Sequence, residues 1–224
     1  MRCDVYSRRK RMSARASSTI ASANGTASGS LRATLRVLGI DPALAGATGY
    51  GVVELEGQSA RMLRFGALRF SPREDFSARL RGIHRMVAQL LEEFAPDAIA
   101  VESVFTALNV RTALKLAEVR GVILLAAAQA QIPSHSYSPR EVKASIVGHG
   151  GASKQQMQQM IKAQLGLCEE PEPPDAADAL AVALCHAHSA RAAQRFAASS
   201  VPQPAAANGR REKRAAIFRI DASI

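Results

Sequence analysis

Two apolar segments of this chain each end on a carboxylate. Leu35-Arg-Val-Leu-Gly-Ile-Asp41 and Ala98-Ile-Ala-Val-Glu102 have the length and composition of strands buried in a sheet, and Pro96-Asp97 separates the second from the helical pattern before it. An acid at the end of a buried strand is carried to the edge of the sheet, where α/β folds gather their ligands. If the two strands are neighbours and parallel, both carboxylates emerge at the same edge.

The rest of the chain supplies the elements such a sheet needs. Tyr50–Glu56 and Met62–Phe70 read as two further strands around the turn Glu56-Gly57-Gln58-Ser59, close enough to form antiparallel hairpins. Phe76, Leu80, Ile83, Val87, Leu90 and Phe94 recur at helical steps, with Arg79, Arg81 and Arg85 off that face. Asn109 to Gln131 is a long helical stretch ended by Pro133, and His135–Ser138 reads as a fifth strand. A short helix over Pro139–Val147, the loop Gly148-His-Gly-Gly151 and a helix capped by Ser153 follow. After the acidic, Pro-rich Glu169–Pro174, a last helix over Asp175–His188 is apolar almost all round and is therefore buried. These patterns predict an α/β fold: a mixed five-stranded sheet with helices on both faces. Met157 and Met160 follow a helical period and read as core.

The net charge of +10 is unevenly placed. Residues 1–34 carry seven Arg and Lys against one acid, and residues 191–224 carry seven against two, so the body between them is close to neutral. A neutral body argues against a simple wrapping surface for nucleic acid. It permits a basic groove beside an acidic pocket, while basic tails add salt-sensitive, sequence-blind affinity for phosphates. Residues 1–34 lack apolar periodicity and read as a disordered basic extension. Their Arg- and Ser-rich composition superficially resembles a transit peptide, but a basic tail or an upstream start codon is the simpler reading. The body spans 35–190, and 191–224 reads as a helix end and a loose basic tail. Cys3, Cys168 and Cys185 are odd in number and lack metal-ligand spacing, which suits a reduced, cytoplasmic protein. No apolar run is long enough to span a bilayer.

Asp175 and Asp178 stand three apart at the start of the buried helix and project from nearly the same face, forming its polar tip. Taken singly, Asp175 reads as an N-cap and Asp178 as a surface acid. Four carboxylates converging on a partly buried pocket repel one another unless a cation is present. Hard oxygen donors favour Mg²⁺ or Mn²⁺ over zinc, and two such ions roughly 4 Å apart can activate a water and stabilise a leaving phosphodiester oxygen.

The ordered set Leu38-Gly-Ile-Asp-Pro42 with Thr48-Gly-Tyr-Gly51, Ala100-Val-Glu-Ser-Val-Phe105, Asn109 through Leu116 to Arg120-Gly121, Val142-Lys143 with Val147-Gly148, and Asp175-Ala-Ala-Asp-Ala-Leu-Ala181 resembles the bacterial RuvC-type Holliday-junction resolvases. The likeness covers about residues 35–190. It implies a ribonuclease-H-like fold, a homodimer and about two Mg²⁺ per subunit, with Mn²⁺ able to substitute. It also implies paired symmetric nicks across a four-way DNA junction during recombination and repair. The family's catalytic metal ligands fall on Asp41, Glu102, Asp175 and Asp178. Its DNA-contacting aromatic falls on Phe105 and its basic residues on Lys143 and Lys154. Working partners implied are a junction-binding protein and a branch-migration ATPase motor, of the RuvA and RuvB types. Ala43 replaces the family's usual Gly, and the turn Ala43–Ala47 is atypical.

Three other classes compete with this reading. A related ribonuclease-H-like nuclease would act on other branched or RNA-containing nucleic acids. An actin-like ATP-binding protein needs a second Gly-rich hairpin and a second domain, for which the chain is too short. A catalytically dead junction-binding module would be expected to have lost carboxylates that are all present. His149 reads as a solvated loop residue, and His186 and His188 point apart on a helix.

Overall fold

The computed structural model describes residues 34–43, 46–103 and 110–199. In chain order the elements are β1 (Thr34–Asp41), β2 (Ala47–Glu56), β3 (Ser59–Arg69), α1 (Phe76–Phe94), β4 (Ala98–Glu102), α2 (Val110–Gln129), β5 (Ser134–Tyr137), α3 (Pro139–Val147), α4 (Lys154–Leu165) and α5 (Pro174–Ser199). The five strands form one sheet in the order β3-β2-β1-β4-β5. β1, β2 and β3 pair antiparallel, whereas β1–β4 and β4–β5 pair parallel. The expected mixed sheet is present, and the two strands that end in acids are parallel neighbours.

Side chains alternate across the sheet, so each strand feeds two cores. Val37, Val53, Leu55 and Ala100 pack with α3, α4 and α5 on one face. Leu38, Ile40, Val52, Ile99 and Val101 pack with α1 and α2 on the other. α3 and α4 both begin on capping boxes, Ser138 with Glu141 and Ser153 with Gln156. These supply partners to backbone N–H groups that a helix start leaves open.

α5 lies against the centre of the sheet, and glycine permits the close approach. Gly39 and Gly51 are opposed in the β1–β2 ladder. A Cβ on Gly39 would sit 2.6 Å from the Ala183 nitrogen, and one on Gly51 would sit 2.7 Å from Leu180 Cδ2. A Cβ on Gly49 would run into the Asp175 carbonyl. The facing helix is correspondingly small: Ala176, Ala177, Ala179, Ala181 and Ala183 are all buried.

Several expectations change. α5 continues through residue 190 to Ser199, because Arg191-Ala-Ala-Gln-Arg-Phe is composed largely of good helix formers and no breaker intervenes. Met160 is exposed, because the buried stripe of α4 is Met157, Ile161 and Leu165. Cys185 is free and buried. The tails at 1–33 and 200–224, and Phe105, lie outside the described residues. No helix among the described residues is long and apolar enough to cross a membrane.

Candidate active site

Strand parity brings the acids together. Val37 and Gly39 face α5, so Asp41, two residues on, faces it as well. Ala100 faces α5, and so therefore does Glu102. The β1–β4 ladder pairs Ile40 with Val101, which sets Asp41 beside Glu102 at the next step. α5 begins at this same edge with Asp175 and Asp178 in its first two turns, its backbone held against Gly49, the ladder partner of Asp41.

The cluster resists its own charge. Burial, then repulsion from Glu102, a hydrogen bond with Glu102, and the charges of Asp178 and Asp175 push Asp41 up to about 8. Burial also raises Glu102 and Asp178 above the ordinary carboxylate range. Two ionised carboxylates cannot hydrogen-bond to each other, so without a cation the Asp41–Glu102 pair shares a proton.

Two lysines face the acids. Lys154, the first residue of α4, places Nζ 3.4 Å from Asp178 Oδ2. Lys143 of α3 lowers the pKa of both Glu102 and Asp178. Both positions expected to be basic are thus drawn to the same cluster as the four expected acids.

The donor set suits a hard divalent ion: carboxylate oxygens only, partly buried, with a proton held where a cation's charge is needed. Among the described residues, no three His, Cys, Asp or Glu side chains already stand arranged around an ion.

Some features had no sequence signature. Thr48 Oγ1, one residue from Gly49, is buried and has no hydrogen-bond partner among the described residues. Arg140 lies across Gly150 in the loop after α3. Further along α5, His186 Nδ1 is 2.7 Å from the Tyr137 hydroxyl and its ring packs on His135, centroids 4.3 Å apart. His188 instead meets Ser145 Oγ at 3.3 Å, so the two histidines do point apart. His149 is exposed.

A family model for the crossover junction endodeoxyribonuclease RuvC matches residues 37–186, a span that includes all four acids and both lysines. The chain belongs to the RuvC family. A RuvC crossover junction endodeoxyribonuclease of Chloroflexus aurantiacus is 46% identical over 165 residues, which are 74% of this chain and all of that relative. The RuvC structure from Thermus thermophilus aligns with a TM-score of 0.67 at 40% identity, covering 71% of this chain and 97% of that one. The T. thermophilus RuvC in complex with Holliday junction substrate aligns at 0.65 and 37% identity, over 70% of this chain and 96% of that one. The fold is thus ribonuclease-H-like, the chain is a nuclease, and RuvC nucleases are metal-dependent.

Proposed function

We propose that this RuvC-family chain resolves Holliday junctions by paired, symmetric nicks in the course of homologous recombination and DNA repair. The observation that carries this reading is the meeting of Asp41, Glu102 and the Asp175–Asp178 turn on one sheet face, with Asp41 pushed up to about 8. Residues 35–190 form the nuclease body. Asp41, Glu102, Asp175 and Asp178 hold two Mg²⁺ per subunit, and Mn²⁺ substitutes. Such ions supply charge neutralisation and an activated water at the phosphodiester. The chain's own part is to orient the carboxylates through the ends of β1 and β4 and the start of α5. Lys143 and Lys154 exchange their carboxylate contacts for backbone phosphates as metal and DNA enter. Phe105 is the candidate for stacking at the junction centre.

Symmetric cutting needs a two-fold assembly. α2 supports a homodimer: Val110, Leu114 and Leu125 are exposed at 75%, 60% and 51%, and Ala117, Gly121 and Ala128 continue the same stripe. The protein works on DNA in the cytoplasm, with a junction-binding protein and a branch-migration motor of the RuvA and RuvB types as partners.

The test is cleavage of a mobile four-way DNA junction in Mg²⁺, beside an RNA–DNA hybrid and plain duplex. Wild type is expected to cut the junction at paired sites, and Asp41→Asn to bind it without cutting. Cutting that survives EDTA, is matched by Asp41→Asn, or prefers the hybrid overturns the reading.

A further inference from the structure

Arg140 is an exposed cation that the site described above does not use. Its guanidinium has no ion pair or hydrogen bond among the described residues. Its acidic chain neighbour Glu141 is already committed: Glu141 Oε2 accepts from both the Ser138 N–H and the Ser138 hydroxyl at 2.7 Å. That capping box anchors the first turn of α3, the turn that carries Arg140.

The side chain is nonetheless seated. Its stem lies over the loop between α3 and α4, where a Cβ at Gly150 would come within 2.6 Å of Arg140 Cγ and 3.3 Å of Nε. The glycine therefore provides a backbone shelf on which the stem rests, and a larger residue there would push the stem aside. The same loop is shaped by Gly148, at φ +91°, and leads directly to Ser153 and Lys154. Arg140 also stands three residues before Lys143, so the two project from neighbouring positions on one helix face. Lys143 acts on Glu102 and Asp178, so the helix face that Arg140 shares with it is the one turned toward the acids.

We propose that Arg140, held on the Gly150 shelf, is a DNA-contacting residue that grips a backbone phosphate flanking the one that is cut, and so sets the register of the strand on the carboxylates. The inference rests on the nuclease reading above. A guanidinium fits a phosphate through paired N–H donors, and a stem already seated loses little freedom on binding.

The test measures binding of a labelled four-way DNA junction to the full chain in EDTA across a salt series, with cleavage in Mg²⁺ read separately. Arg140→Ala is expected to weaken binding roughly tenfold and to lower the slope of log affinity against log salt by about 0.9 per lost contact. Arg140→Lys is expected to keep the slope while losing part of the affinity. Gly150→Val, which displaces the stem, is expected to weaken binding in the wild-type background and to add nothing to Arg140→Ala. Unchanged affinity and slope in Arg140→Ala overturn the phosphate contact, and additive losses in the double variant overturn the shelf. Wild type that binds but does not cut in Mg²⁺ sinks the nuclease reading while leaving the Arg140 comparison decided by the slopes.

Discussion

Asp41 is an acid whose surroundings oppose its charge, and this makes the metal-free protein sensitive to alkali. With its folded pKa raised from 3.8 to about 8, the native state holds more protons than the unfolded state between those values. Stability therefore falls as pH rises through that window. In EDTA, melting of wild type is expected to drop between pH 5 and pH 8, and Asp41→Asn to flatten the drop. Each kcal/mol recovered by the variant is worth about 2–4 °C. The same variant is expected to abolish cutting, so stability and activity should move in opposite directions. His186 has the opposite sign: burial and then His135 lower it to about 4, so it stays neutral in the fold. Stability is lost as pH falls below the unfolded value of 6.5 toward 4. Urea titrations at pH 7 and pH 5 should show a loss of about 1–2 kcal/mol, after allowance for screening, that His186→Gln removes. The four acids were legible because two end apolar strands and two form the polar tip of an apolar helix. His186 was not, because its partners lie on β5, 49 residues away from it in the case of Tyr137. Glu54 was missed for the same reason: it is buried against Arg36 and Arg61, brought together from neighbouring strands at the other end of the sheet.

The element that sets the site is the α5–sheet contact, and it depends on missing side chains. Gly39→Val would push into the Ala179 carbonyl and the Ala183 backbone, with an expected cost of about 1–3 kcal/mol read by urea denaturation. Gly49→Ala acts nearer the chemistry. It presses on the Asp175 carbonyl, so the first turn of α5 shifts relative to Asp41. The expected result is a rate loss of about 100-fold in a protein that still melts cooperatively and still binds the junction. A variant cutting at the wild-type rate would show that this spacing is not what places the ligands. Element type was legible here: period-two and period-3.6 patterns located the five strands and five helices, with every boundary within a few residues except the far end of α5, which runs on to Ser199. The close approach was not. A glycine in a strand reads locally as a bulge or a weak point, and only the tertiary partner shows that it is a notch for a helix.

At the scale of the whole molecule, α2 presents an apolar stripe on the outside of an otherwise complete two-sided fold. Leu114→Glu puts a charge in its middle and is expected to give monomers by sedimentation. Cutting should then fall to unpaired single nicks, whereas a monomer that still makes paired nicks would refute the two-fold model. That α2 is helical could be read from the sequence, but the exposure of Leu114 and Leu125 could not, because apolar residues all round a helix do not say which face the sheet covers. The order β3-β2-β1-β4-β5 lay equally beyond local pattern, since it depends on a crossover that sets β4 beside β1. α5 has a last consequence, for biosynthesis. It is the final element of the described chain, yet it fills the middle of one core and carries two of the four acids. Until α5 arrives, a nascent chain emerging from the ribosome has only α3 and α4 to cover that sheet face and lacks Asp175 and Asp178. On the proposed ligand set, a chain interrupted before Pro174 is expected to bind no catalytic metal and to cut no DNA.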